Sequence, residues 1–202
     1  AVAGIADSAG DFAEYSDRLI ADTLPNPYQA EKIHFGVTHT DIVQAVAALK
    51  SGINSGKLIV NFIGHGFSRG WSAQKNPPKI FIQTADVAGF TNQDKYPIFL
   101  AMTCSEGYFI DPTVEAFGEA VTLAENKGAI ASWSPTGQGV SGAHDYLDRG
   151  FFDAVYKQGS YVLGEAILNG FSRLWFSGSS LYLMEPYELF GDPALKINRT
   201  PA

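Results

Sequence analysis

The sequence predicts an α/β fold: a mostly parallel sheet with helices on both faces. Three observations predict it. Apolar runs of strand length alternate five times with amphipathic helical segments. One run, KLIVNFIG (57–64), is nearly all apolar, as expected of a strand buried on both faces. A chain of 202 residues, 46% hydrophobic and 13% aromatic, with no linker-like stretch, supports one packed core spanning 1–202.

The elements follow in order. AVAGIAD (1–7) reads as an opening strand that ends in the turn DSAGD. Phe12 to Leu24 reads as a helix, with Asp11 as N-cap and Pro25 as the stop. EKIHFG (31–36) is a second strand. Thr38 or Thr40 is placed to cap a helix through Leu49, with Ile42, Val43, Val46, Ala47 and Leu49 on one face; GINSG ends it. After the strand 57–64 comes a loop, HGFSRGWSAQKNPPK, and then a short strand and turn in IFIQTADVAGF (80–90). YPIFLAMTC (96–104) is another apolar strand. Pro112 to Asn126 reads as an amphipathic helix with Gly128 as C-cap. GAIASWS (128–134) is a strand, 142–157 and 160–175 are helices, and YELFGDPALKI (187–197) closes the sheet.

Composition narrows the function. Fourteen basic against 21 acidic residues give a net charge of −7, with no basic run, which argues against a nucleic-acid partner. The longest apolar stretches are about seven residues, well short of the roughly 20 that span a bilayer. No basic, apolar leader opens the chain, and it is expected to be a piece of a longer precursor. One cysteine excludes an internal disulfide and a cysteine-only zinc site. The four histidines form no HExxH pair, so no metal site is expected.

In parallel sheets, sites form beyond the carboxyl ends of strands. Two such ends stand out. The strand 57–64 runs into His65-Gly66, and the strand 96–103 runs into Cys104-Ser105-Glu106-Gly107. If these strands are neighbours, about 4.8 Å apart, His65 and Cys104 meet in one cleft. A thiol beside an imidazole is a nucleophile with its base. Gly66 would let backbone approach a substrate carbonyl, so the N–H groups of Gly66 and Cys104 are candidate oxyanion donors.

NFIGHG, FLAMTCSEGYF, GAIASW and LFGDPALKI together resemble the gingipain family of cysteine peptidases, whose fold is caspase-like. The resemblance covers essentially the whole chain, as the catalytic subdomain without the one that precedes it in that family. It implies a three-layer, caspase-like sandwich and a Cys104–His65 dyad cleaving peptide bonds through an acyl-enzyme. It also implies an oxyanion hole at Gly66 and Cys104, and a substrate wall at Ser132, Trp133 and Ser134. The family's first-strand acid falls in IADSAGD, where Asp7 or Asp11 would orient His65 or receive a basic P1 side chain. Asp11 has the competing role of helix cap. No cofactor is implied as required, and calcium is admitted. Protein or peptide substrates, an upstream subdomain or other parts of the precursor as partners, and a cell-surface or extracellular location are implied too. The alternative is a peptidase-like module without activity, serving protein binding, secretion or assembly.

Two motifs point elsewhere. Gly66-Phe67-Ser68-Arg69-Gly70 matches a serine-hydrolase nucleophile elbow, but no helical face follows it. Gly137-Gln138-Gly139-Val140-Ser141-Gly142 matches a dinucleotide fingerprint, but a second helix stands where the next strand should. That stretch reads as a substrate-side loop. Glu106 reads as a cleft-lining or solvated side chain.

Overall fold

A computed structural model describes residues 1–199. The chain begins with β1 (Val2–Ala3), α1 (Phe12–Thr23), β2 (Ile33–His34), α2 (Ile42–Ser55) and β3 (Ile59–Ile63). A hairpin region follows: β4 (His65–Phe67), β5 (Gly70–Gln74), β6 (Lys79–Gln83) and a 3₁₀ turn (Thr84–Gly89). Next come β7 (Ile98–Met102), α3 (Phe117–Leu123), β8 (Ala131–Pro135), α4 (Ser141–Tyr156), α5 (Leu163–Ser177), a second 3₁₀ turn (Leu181–Met184) and β9 (Tyr187–Phe190).

The main sheet has the order β2-β1-β3-β7-β8-β9. Its pairs are parallel except β8–β9. Side-chain alternation divides the core in two. Ile63, Leu100 and Met102 face α1, α4 and α5, with Phe12, Leu19, Leu147 and Phe151. Phe62 and Phe99, one residue away on the same strands, face the other way. There they meet α2, α3 and the small antiparallel sheet β4-β5-β6, through Leu49, Ile53, Trp71, Phe81 and Phe117. The result is three layers, as the strand–helix alternation predicts.

Local chemistry explains the differences from expectation. Asp11 caps α1, accepting from the Glu14 N–H at 3.0 Å. The cap of α2 is Asp41, not Thr38 or Thr40, with Oδ1 accepting from the Val43 and Gln44 N–H groups. Thr38 turns back to accept from the His34 N–H. α2 runs on through GINS to a left-handed Gly56, because Ile53 is fully buried and its burial outweighs the helix cost of Gly52. α3 is shorter than 112–126. Asp111 ties up a local turn with Thr113, and Glu119 bonds the Ala116 N–H, so the helix starts only there. The stretch 65–79, expected as loop, carries β4 and most of the small sheet. Among the described residues no helix is long and apolar enough to cross a membrane.

Candidate active site

Parallel pairing of β3 with β7, in the register Ile63↔Met102, sends both chains out of the sheet side by side. The Thr103 hydroxyl donates to the Gly64 carbonyl at 2.8 Å and clamps the two exits together. A Cβ on Gly66 would lie 2.5 Å from Thr103 Oγ1 and 3.0 Å from the Cys104 carbonyl oxygen, so only glycine fits. Gly66, the residue after His65, is thus held against Thr103 and the Cys104 carbonyl.

His65 starts β4 and is half-buried, with its ring edge-on to Phe12 at 5.3 Å. Its Nε2 lies 2.8 Å from Asp7 Oδ2. Asp7 belongs to a tight turn closed by backbone bonds to Gly10, and its Oδ1 accepts from the Ala9 N–H at 2.8 Å. Partial desolvation opposes ionisation of Asp7, but the Ala9 amide and the His65 ring outweigh it and hold the carboxyl below its ordinary value. The Ser141 hydroxyl at the start of α4 donates to the Ala9 carbonyl and fixes this turn to the opposite rim.

Cys104 is partly exposed. Its Sγ accepts from the Gly139 N–H at 3.3 Å. Among the described residues no hydrogen bond joins sulfur to imidazole: the ring faces Asp7 and the sulfur faces Gly139. Ser105, with φ of +55°, makes the sharp turn after Cys104, and its N–H donates to the Gly137 carbonyl at 2.8 Å. Gly139 packs on the buried ring of His144, whose Nε2 would be 2.1 Å from an added Cβ.

The other expected site residues fall elsewhere. Asp11 is exposed at the head of α1 and engaged as its cap. Ser132, Trp133 and Ser134, the expected substrate wall, are fully buried. Trp133 packs against Phe151, Phe171 and Tyr187, and the Ser132 and Ser134 hydroxyls bond each other at 2.6 Å. Strand β8 lies inside the sheet between β7 and β9, so its side chains point into the two packed layers rather than the cleft. Glu106 is also fully buried, not solvated. Ser68 occupies the β4–β5 turn and is no elbow nucleophile. Sequence reading missed Gly139 as a sulfur partner; its glycine-rich context was the available signal.

Among the described residues no group of three or more His, Cys, Asp or Glu side chains converges to hold a metal ion. A cavity of about 170 Å³ lies at the opposite, amino ends of the strands, lined by Ala1, Leu24, Tyr28, Ile53 and Leu58 among others. It is apolar and remote from Cys104.

Solved structures share this architecture. Gingipain R (RgpB), an Arg-specific cysteine proteinase, superposes with a TM-score of 0.79 at 18% identity, over 98% of this chain and 47% of that one. A complex of Porphyromonas gingivalis RgpB pro- and mature domains gives 0.78 at 18% identity, over 98% and 48%. A structure described only as a protease gives 0.65 at 23% identity, over 74% and 37%. The fold is therefore the caspase-like one of gingipain, and the chain spans about half the length of those two gingipain chains. No curated protein matches the sequence. The model of peptidase family C25 matches residues 1–198, and the chain belongs to that family.

Proposed function

We propose that the chain is the catalytic domain of a cysteine endopeptidase, with Cys104 as nucleophile and His65 as general base. The observation that supports the reading is the clamped exit of β3 and β7, with Gly64 bonded to Thr103 and Gly66 packed against Thr103 and the Cys104 carbonyl. With Asp7 accepting from Nε2–H, Nδ1 is the ring atom that takes the thiol proton. Sulfur attacks the scissile carbonyl carbon, and the N–H groups of Gly66 and Cys104 receive the oxyanion. Such donors are worth about 3 kcal/mol each. The imidazolium then protonates the leaving amine. Water, deprotonated by the same ring, cleaves the thioester and returns the thiol.

The preference for a basic P1 side chain is the weaker part of the reading, since Asp7 is engaged with the imidazole and Asp11 caps α1. By resemblance, protein or peptide chains are the substrates, a prodomain or upstream subdomain is the partner, and the site of action is outside the cell or on its surface.

A fluorogenic peptide library tests activity and P1 preference together. Wild type should cleave and Cys104→Ala should not. The single thiol should alkylate fast with iodoacetamide at neutral pH, and His65→Ala should slow it. Cleavage by Cys104→Ala at the wild-type rate removes the assignment, and an inert thiol favours the binding-module alternative.

A further inference from the structure

The glycine-rich stretch Gly137–Ser141, which matches a dinucleotide fingerprint in sequence, joins β8 to the start of α4. Its first residues are bonded to the Cys104 loop. The Gly139 N–H donates to Cys104 Sγ at 3.3 Å, the Gly137 carbonyl accepts from the Ser105 N–H at 2.8 Å, and the Gln138 amide donates to the Ser105 hydroxyl at 3.4 Å. Its last residue reaches the other way: the Ser141 hydroxyl donates to the Ala9 carbonyl, in the turn that carries Asp7.

That serine is not used by its own helix. A serine at a helix start ordinarily caps it, its oxygen accepting from N–H groups of the first turn. In α4 the N-cap position is Val140, which makes no side-chain cap bond, and Ser141 stands one residue inside. Its hydroxyl is therefore free to donate outward. The Asp7 turn needs such an anchor. Ala6, Asp7, Ser8 and Ala9 are all exposed, so little packing fixes them. Ala9 is held instead at both of its polar groups, the N–H by Asp7 Oδ1 at 2.8 Å and the carbonyl by Ser141. The other carboxylate oxygen, Asp7 Oδ2, lies 2.8 Å from His65 Nε2. One short segment thus holds the sulfur at Gly139 and, two residues later, the turn whose acid holds the imidazole. We propose that Ser141 is a positioning residue, whose hydroxyl ties the Asp7 turn to the Cys104 loop and so sets the His65 ring relative to the thiol.

What the positioning serves rests on the peptidase reading, but the tie is measurable without turnover. With Asp7 accepting from Nε2–H, the neutral His65 ring is held as one tautomer, which ring nitrogen-15 shifts report once His65→Ala has assigned the signals. The chain has one cysteine, so alkylation by iodoacetamide reports Cys104 alone. Both are measured at pH 8 for wild type, Ser141→Ala, Ser141→Thr, Ser141→Val and Gly142→Ala, beside thermal unfolding curves. Ser141→Ala should keep the wild-type unfolding temperature, because α4 takes no cap from this side chain. It should mix the two His65 tautomers and slow alkylation about threefold to tenfold. Ser141→Thr keeps the hydroxyl and should restore both, whereas Ser141→Val has the shape of threonine without it and should behave as Ser141→Ala. Gly142→Ala, one residue beyond the tie, should match wild type. Where peptides are cleaved, Ser141→Ala should lower kcat about tenfold with KM within about threefold, as displacement of a reacting group does. A wild-type tautomer and wild-type alkylation in Ser141→Ala overturn the proposal. So does a Ser141→Thr variant no better than Ser141→Val. A protein whose tautomer and alkylation follow the Ser141 hydroxyl, yet which cleaves no peptide, defeats the peptidase reading alone.

Discussion

Asp7 Oδ2 and His65 Nε2 lie 2.8 Å apart across 58 residues of chain. The contact joins the turn after the first strand to the start of the hairpin after the third, and it decides which ring nitrogen carries the proton. An Asp7→Asn substitution keeps the shape but offers the ring an amide, which can favour the wrong tautomer. Turnover of a fluorogenic peptide should fall on the order of 100-fold, with unfolding temperature little changed. Unchanged turnover would reduce Asp7 to a turn residue that serves only Ala9.

His65 and Cys104 stood out as candidates because each follows an apolar strand, and the pairing of β3 with β7 makes those strands parallel neighbours. The same logic placed α1 and its Asp11 cap within a residue. The hairpin 65–83 was not legible: its strands are short, and Trp71, Ala73, Phe81 and Ile82 reveal their alternation only once the sheet lies on α2 and α3. Trp133 misled for a related reason. A residue near a strand's carboxyl end reaches the cleft only if the strand stops there, and β8 continues to Pro135. Glu106 defied its polarity, since a lone buried carboxyl has no sequence signature.

Two glycines three residues apart should respond oppositely to alanine. At Gly139 an added Cβ would meet His144 Nε2 at 2.1 Å and the Thr103 carbonyl at 2.9 Å. The loop must move, taking its N–H from the sulfur. Gly139→Ala should cost about 1–3 kcal/mol in urea unfolding and slow both alkylation and turnover. Gly142, on α4, has nothing within 4 Å of such an atom. Gly142→Ala should stabilise by about 0.4–1 kcal/mol and leave turnover intact.

His144 and Asp148 stand one turn apart on α4, both buried, and titrate in opposite senses. Desolvation lowers His144 from 6.5 to about 3, so its contribution is full above 6.5 and is lost as pH falls toward 3. Desolvation raises Asp148 from 3.8 to about 7, against the Asn61 amide that donates to it at 2.8 Å. Its contribution is full below 3.8 and is lost as pH rises to 7. Urea midpoints should therefore show His144→Leu gaining on wild type between pH 6.5 and 4.5. Asp148→Asn should gain between pH 4.5 and 7, each by a few kcal/mol at most. Parallel curves for either variant would mean that the group is hydrated in the folded protein.

Trp133 offers a test of the buried strand against the substrate-wall expectation. Its ring is enclosed by Phe151, Phe171 and Tyr187, and its Nε1–H finds no described partner. Trp133→Ala should cost about 3–5 kcal/mol, since a cavity opens between the sheet and α4–α5. Trp133→Phe should cost clearly less, because the smaller ring also removes an unpaired donor. Neither change should alter the order of preferred P1 residues in a peptide library. A reordered preference in the stably folded Phe variant would mean that β8 opens to substrate after all, and that the wall implied by gingipain resemblance forms only when a peptide is bound.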